Sequence, residues 1–327
     1  MPSVRKPRAG SLQFWPRVRS KRSTPRIRTH PVSKELNFTG FFGYKAGMTH
    51  VKAVETSKTS HIKGQEISVP VSIIECPPLK IASVRLYKRD NLDWKLKKEI
   101  ILSNDKELAK AMKLPKKDQK SVFEKLNPEE YDDVRVMVFT LPSMTGMGKK
   151  KPDVAELGVG GPSVKEKLDF VKGNLGKEIL VENVFKEGAM VDLKSFTKGK
   201  GFQGPIRRFG IHLRQSKSEK SIRNPGSLGP WKAQGQIMWR VAHAGKMGYH
   251  QRTEYNKQIY KIATPEEVNV KGGIVNYGQL KNKSVLVKGS IPGSKKRIIV
   301  IGHAIRTKKK ISLPTIEKVS THEKQGK

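Results

Sequence analysis

Gly199-Lys-Gly201-Phe-Gln-Gly204 has the G-x-G-x-x-G spacing that seats a dinucleotide pyrophosphate. That chemistry needs the glycines to open a helix whose first amides face the phosphates, and an acid about 20 residues on for the ribose. Here Pro205 and Arg207-Arg208 follow with no small-residue helix, and Glu219 is the single acid between Gly204 and Glu254. The glycines suit close approach of backbone to phosphate without catalysis, so no cofactor and no small-molecule substrate is expected. Eight histidines invite a metal reading. His243 and His250 are seven apart, His212 is remote and Cys76 stands alone, so zinc-type spacing and a disulfide framework are both absent. With almost no carboxylate nearby to orient a His, a nucleophilic triad is unsupported as well. The expectation is no metal site and no enzyme.

What this stretch offers instead is charge and aromatic faces. Leu193 to Lys257 holds fourteen Lys and Arg against two acids. Its apolar residues are sparse and follow no sustained period, which predicts no core of its own. Phe202, Phe209, Trp231, Trp239 and Tyr249 are nonetheless rigid anchors, unlike a Gly/Ser linker. Spaced cations and aromatics suit a folded polyanion with exposed base faces. The candidate contacts are Lys198, Lys200, Phe202, Gln203, Arg207, Arg208, Arg223, Trp231, Lys232, Arg240, His243, Lys246, Tyr249, His250 and Arg252. Trp231 sits in a Gly-Pro-rich turn beside Lys232 and reads as a tip that stacks on a base. Trp239, inside an apolar patch, divides between packing and contact.

The N-terminal stretch matches this chemistry. Residues 1–34 contain ten Lys and Arg and no acid. Arg5, Arg8, Phe14, Trp15, Arg17, Arg19, Lys21, Arg22 and Arg26 are its candidate RNA contacts. Pro2, Pro7, Pro16, Pro25 and Pro31 favour extended backbone and break the amphipathic helix of a transit peptide. In isolation such an arm is expected to be disordered.

The 327 residues carry 66 Lys and Arg against 29 Asp and Glu, a net charge of +37. Residues 90–190 hold 19 basic and 18 acidic residues, so an ordinary block lies inside a cationic frame. Such segregation fits a protein that leans one face on nucleic acid. A chain of this length allows roughly two domains. No apolar run approaches the roughly 18 residues of a membrane span, no signal region opens the chain, and a lone cysteine fits a reducing compartment.

The elements that must carry the loop and arm read as mainly β with an α+β insertion. FTGFFGY (38–44), ISVPVSIIEC (67–76) and IASVRLY (81–87) are β-prone runs separated by turns. A helix is expected from Ser103 through Lys113, then a buried strand at 134–141. Ser163-Val-Lys-Glu166 is a capping box, with the helix stopping at an αL Gly173. Strands follow at 178–185, 189–196, 257–263, 284–289 and 297–303. Lys308–Lys310 and the polar stretch after Pro314 read as solvated. Pairing strands from distant parts of the chain predicts a small closed or nearly closed β-barrel. The resulting division is a basic arm (1–37), a first barrel part (38–89), the charge-balanced insertion (90–190), a basic central finger (191–257), closing strands (258–307) and a polar tail (308–327).

GFFGYKAGMTH (40–50), FTKGKGFQG (196–204), WRVAHAGKMGYHQRTEYNKQIY (239–260) and GSIPGSKKRIIVI (289–301) together resemble the universal large-subunit ribosomal protein L three family. The start, GSLQFWPRVRSKRSTPR, is similar to its archaeal and eukaryotic branch. Lys45, Lys295 and Lys296, within these blocks, complete the candidate rRNA contacts. The resemblance implies a translation-protein type β-barrel on the solvent side of the large subunit, with the arm and finger entering rRNA. It implies that Trp231 is the finger tip near the peptidyl transferase centre and the aminoacyl-tRNA corridor. It also implies an early role in subunit assembly and contact with ribosomal proteins L fourteen and L twenty-four. The competing classes, a DNA-compacting protein and a nucleotide-dependent enzyme, lack a recognition helix or dimer element and a ribose-binding acid, respectively.

Overall fold

The computed structural model describes residues 7–31, 33–116, 119–229, 235–307 and 311–322. Arg5, Trp231, Lys232 and the run 308–310 lie outside the described residues. Two compact units divide the chain: residues 1–22 with 196–251, and residues 23–195 with 252–327.

Among the described residues the strands are β1 (Gly40–Val54), β2 (Glu66–Glu75), β3 (Leu79–Asp90), β4 (Asp93–Ile101), β5 (Asp133–Thr140), β6 (Val154–Gly158), β7 (Met190–Phe196), β8 (Phe202–Gln203), β9 (Gly245–Lys246), β10 (Gln251–Ala263), β11 (Ser284–Lys288), β12 (Ile298–His303) and β13 (Thr315–Val319). The larger sheet has the order β12-β7-β10-β11-β2-β1-β13, and β1 also pairs with β12. Gly40 to Tyr44 face Gly302 to Ile298, whereas Val51 to Val54 face β13. The long β1 therefore serves two partners in succession along one edge while β2 covers the other. The continuous apolar character of FTGFFGY follows, because both faces of that stretch are buried.

The second sheet has the order β4-β3-β5-β6. Here β3 departs from the sequence reading, which grouped it with the early barrel strands. It pairs instead with β4 across a tight turn in which Asn91 takes φ 53°, and with β5 on its other side. Strand β4 was not among those expected, because this lysine-rich edge strand is largely exposed.

Other differences have local causes. The helix expected over 103–113 is a single 3-10 turn at Leu108–Lys110. One turn suffices to bury Leu108 against Ala82, Phe139 and Leu141. The run 178–185 is a one-turn helix, Val181–Val184, after a lone bridge from Ile179 to Leu79. Val181, Val184 and Phe185 are all buried there, so the apolar run meets the core as a helical turn. The stretch after Pro314 is not merely solvated, because β13 pairs antiparallel with β1 and buries Val319. The Ser163 cap holds: its Oγ accepts from the Glu166 amide at 3.3 Å, and the same hydroxyl donates to Glu166 Oε1 at 2.9 Å. The helix Val164–Gly173 does end at Gly173, but the left-handed residue is Gly176, φ 74°.

The larger unit has one dominant core, with Phe41, Phe42, Tyr44, Ile74, Leu79, Val136 and Ile299 within it. Two of its buried polar clusters are closely paired. Tyr44 donates to Asp153 Oδ2 at 2.8 Å and lies 2.7 Å from the Thr140 hydroxyl. The fully buried Glu75 carboxyl accepts from Tyr277 at 2.5 Å, from the amides of Lys281 and Asn282 at 3.0 and 3.1 Å, and from Asn282 Nδ2 at 2.9 Å. On the second sheet, Arg85, Tyr87 and Arg135 all donate to Glu156. His30 lies beside this cluster, and burial, reinforced by Arg135, lowers its pKa to about 4.

Candidate nucleic-acid interface

The smaller unit contains eighteen Lys and Arg and a single acid, Glu219. Its scaffold is short. Strands β8 and β9 pair through Phe202–Lys246 and Gln203–Gly245. A five-residue helix, Pro205–Phe209, starts at Gly204 with Pro205 in its first turn and ends on a left-handed Gly210. It is not the small-residue helix of a nucleotide site, because its residues are Pro-Ile-Arg-Arg-Phe. Proline suits a first turn because its missing N–H has no partner there in any case. At five residues this helix is far from the long helix a dinucleotide site uses.

Phe209 on this helix is 5% exposed. Trp15 packs on it with ring centroids 5.7 Å apart and meets Trp239 edge-on at 5.5 Å. The Arg17 guanidinium covers the Phe209 ring at 4.3 Å and donates to the Arg208 carbonyl at 2.7 Å. Gly10 admits the same ring, since a Cβ there would lie 2.6 Å from Phe209 Cδ1. The loop alone holds no core, as its pattern predicts, but with the arm it forms a small aromatic-arginine cluster. No local window could show this, because the partners lie almost 200 positions apart in sequence.

Arginines do structural work here. Arg208 donates to the carbonyls of Lys246, His243 and Arg17 at 3.1, 2.9 and 2.9 Å, and burial lowers its pKa. Arg8 donates to the Arg240 carbonyl at 2.6 Å. The arm is pinned further on, where the Ser20 amide donates to the Tyr249 carbonyl at 3.0 Å and His250 Nδ1 lies 2.8 Å from the Val18 carbonyl. His243 Nε2 lies 3.1 Å from the Met238 carbonyl. Tyr249 stacks on Phe196 with centroids 5.4 Å apart.

The candidates therefore fall into groups. Arg8, Phe14, Arg19, Lys21, Arg22, Lys198, Lys200, Phe202, Arg207, Arg223, Arg240 and Lys246 are exposed in the smaller unit. Phe202 and Trp239 present 67% and 60% of their surface, large values for aromatic rings. Trp15, Arg17, Arg208, His243, Tyr249 and His250 are partly buried and hold the unit together, and Gln203 donates to the Lys200 carbonyl at 2.7 Å. Arg26, Arg252, Lys295 and Lys296 belong to the larger unit. Lys295 donates to the Val275 carbonyl and Lys296 takes φ 66°. Lys45 is a correction: it is 9% exposed, and its ammonium donates to the carbonyls of Ile291 and Gly293 at 2.6 and 3.2 Å. It closes a turn rather than reaching a ligand; its signal, a lysine inside an apolar strand, was visible in the sequence.

Among the described residues no group of His, Cys, Asp and Glu could hold a metal ion, and no helix is long and apolar enough to cross a membrane. The geometry is that of a cationic, aromatic-studded surface. The model of the family described as "Ribosomal protein L3" matches residues 1–326. "Large ribosomal subunit protein uL3" of Methanosphaera stadtmanae is 43% identical over 331 residues, covering 98% of both chains. The protein of the same name from Archaeoglobus fulgidus is 45% identical over 331 residues, covering 98% of this chain and 99% of its own. That from Methanothermobacter thermautotrophicus is 44% identical over 98% of both. The chain belongs to the ribosomal protein L3 family, whose members are structural components of the ribosome and not enzymes.

Proposed function

We propose that this chain is a cytoplasmic structural constituent of the large ribosomal subunit that binds its rRNA, acts early in assembly and steadies RNA near the peptidyl transferase centre and aminoacyl-tRNA corridor. The observation that carries the reading is the smaller unit, whose sequence holds eighteen cations and one acid. Self-repulsion at that density opposes compaction until a polyanion supplies counter-charge. The closed strand order of the larger sheet supports a translation-protein type β-barrel as the base from which arm and finger reach. The finer layout follows: arm 1–37, barrel parts 38–89 and 258–307, insertion 90–190 and finger 191–257 with Trp231 at its tip. Ribosomal proteins L fourteen and L twenty-four are the protein neighbours.

The test is sedimentation with large subunits, together with binding to a large-subunit rRNA transcript. Cosedimentation and a steep salt dependence are expected. A chain that stays at the top of the gradient would sink the reading. Trp231→Ala tests the finger. It should leave the melting temperature of the free protein unchanged, remove stacking worth about 1–3 kcal/mol, and alter aminoacyl-tRNA accommodation. A lower melting temperature with normal translation would make Trp231 a packing residue instead.

A further inference from the structure

A cavity of about 260 Å³ lies in the larger unit, between β1, β2, the loop 268–275 and the chain just after β13. Its apolar walls are Met48, Ile73, Val268, Ile274 and Val275. Ile73 and Val268 are buried, while Met48 and Val275 are 46% and 37% exposed. The volume is below the roughly 300–1,000 Å³ of sites for drug-sized ligands, and suits one bulky side chain better than a whole cofactor.

The walls are fixed by the fold. A Cβ on Gly47 would lie 2.8 Å from Ile274 Cγ2, so this glycine in β1 lets the loop sit against the strand. The loop closes on itself, because the Ile274 and Gly278 amides each donate to the other's carbonyl at 2.9 Å. Tyr277 ties it to the buried Glu75. On the other side Thr49 Oγ1 donates to the Ser320 carbonyl at 2.7 Å, and the Ser320 amide donates to the His50 carbonyl at 3.0 Å. A preformed site of this kind spares a ligand much of the ordering cost.

The lining and its surroundings say what would enter. Ser320, 9% exposed, lines the cavity with an Oγ that has no hydrogen-bond partner among the described residues. Such a buried hydroxyl is costly unless something pairs with it. Lys295, which donates to the Val275 carbonyl, and His322 are the titratable groups of the lining. No carboxylate lines the cavity, so the complementary charge is negative. Strand β13 ends the sheet order: β1 pairs with one edge, and among the described residues no strand pairs with the other. That edge presents unpaired main-chain groups. Its five residues are too few to recruit a second sheet but enough for a short peptide.

We propose that this cavity and the open edge of β13 together receive an extended segment of a partner protein, with an aliphatic or aromatic side chain in the cavity and a carboxylate beside Lys295. The proposal does not rest on the rRNA-binding reading, whose carrying observation is the smaller unit. A phosphodiester strand is the poorer occupant, because the walls are mostly apolar and a strand edge pairs with peptide groups.

The experiment selects random phage-displayed peptides against the full chain in about 0.3 M salt with excess polyuridylate. The salt screens surface charge beyond about 6 Å, and the polymer occupies the cationic unit. Selected peptides should share a bulky apolar residue flanked by an acid. A synthetic peptide of that consensus should shift the Met48 methyl resonance. It should bind Val275→Trp, which plugs the mouth, roughly tenfold more weakly or worse, and replacing its apolar residue by alanine should cost as much. Lys295→Gln should weaken binding a few-fold and reduce its salt dependence. Ile62→Trp, at an exposed position outside the cavity, should change nothing. Melting temperatures are measured alongside; should Val275→Trp fold poorly, the alanine peptide and Lys295→Gln still decide. No shared motif, an alanine peptide that binds equally well, or an unmoved Met48 methyl overturns the proposal. Polyuridylate that alone shifts that methyl and blocks the peptide would make RNA the occupant, and phenylacetate that binds as tightly as the peptide would make the cavity a small-acid site. Self-association of the parent that Val275→Trp abolishes would put a second copy there. Each of these three results also overturns it.

Discussion

The two units solve the same problem with different materials. In the larger one, apolar side chains from both sheets form one continuous core, and its charged groups are cross-paired, as at Glu156 with Arg85 and Arg135. In the smaller one, Phe196, Phe209 and Ala242 are the buried apolar residues among those described. Its cohesion comes from guanidinium groups donating to main-chain carbonyls and from rings meeting rings. Such contacts give about 0.5–1.5 kcal/mol per aromatic pair and about 1.5–3 per charge-assisted hydrogen bond, set against a large repulsion. The lesson is that arginine can hold a small unit together without an apolar core, leaving that unit dependent on external counter-charge.

The largest expected effect tests that dependence. Transcript affinity should fall by roughly 10³–10⁵ between 50 and 200 mM salt if about 6–10 phosphates are neutralised. Replacing Lys198, Lys200 and Lys246 together by Gln should flatten the slope by about 2–3, while Lys95, Lys97 and Lys98 to Gln, on β4, should leave it alone. Equal flattening by both sets would erase the distinction between the units. Next in size, Phe41→Ala should cost about 3–5 kcal/mol in urea unfolding, and Trp15→Ala about 1. A larger cost for Trp15→Ala would mean that the smaller unit carries the stability.

The third effect is confined to the larger unit. Above pH 6.5 His30 is neutral in both states; below it the unfolded chain takes up a proton that the folded chain refuses until about pH 4. Stability should therefore fall as pH drops through this window, by up to about 3 kcal/mol. The groups facing the ring are Arg135, Glu156, Lys194 and Asp133. His30→Gln should remove that slope in unfolding curves measured from pH 7 to 4. The smallest effect returns to the other unit. Arg208→Lys keeps the charge but loses the planar fork, and should lower amide-exchange protection of β8 and β9 by about 1–2 kcal/mol. Unchanged protection would mean that the three carbonyl contacts are incidental.

The sequence was most readable where the physics is local. The buried runs of β1, β11 and β12 and the cap at Ser163 are set by neighbouring residues, and each was identifiable from them. The charge division was plain as well, since it needs only counting. Partnership was not readable. Nothing in IASVRLY says that it joins β4 rather than β2, because one apolar run can pair with either. The run of β13 is too short and polar to stand out. In the candidate interface, charge identified Lys198 and Arg207, which are exposed, as readily as Arg208 and Lys45, which satisfy the chain's own carbonyls. A cation's role depends on what lies within about 3 Å of it, and that is a tertiary fact.

The pairing of β1 with β12 has a consequence in time. Gly40 cannot meet Gly302 until some 260 further residues have been synthesised, and β13 comes later still. Contacts so distant in sequence form slowly. The arm and the segment 196–251, by contrast, leave the exit tunnel before the last strands do. A nascent chain thus has its cationic parts free to find a polyanion while its largest sheet is still open, and translation arrested near residue 290 would leave β1 with an uncovered apolar edge as a target for degradation.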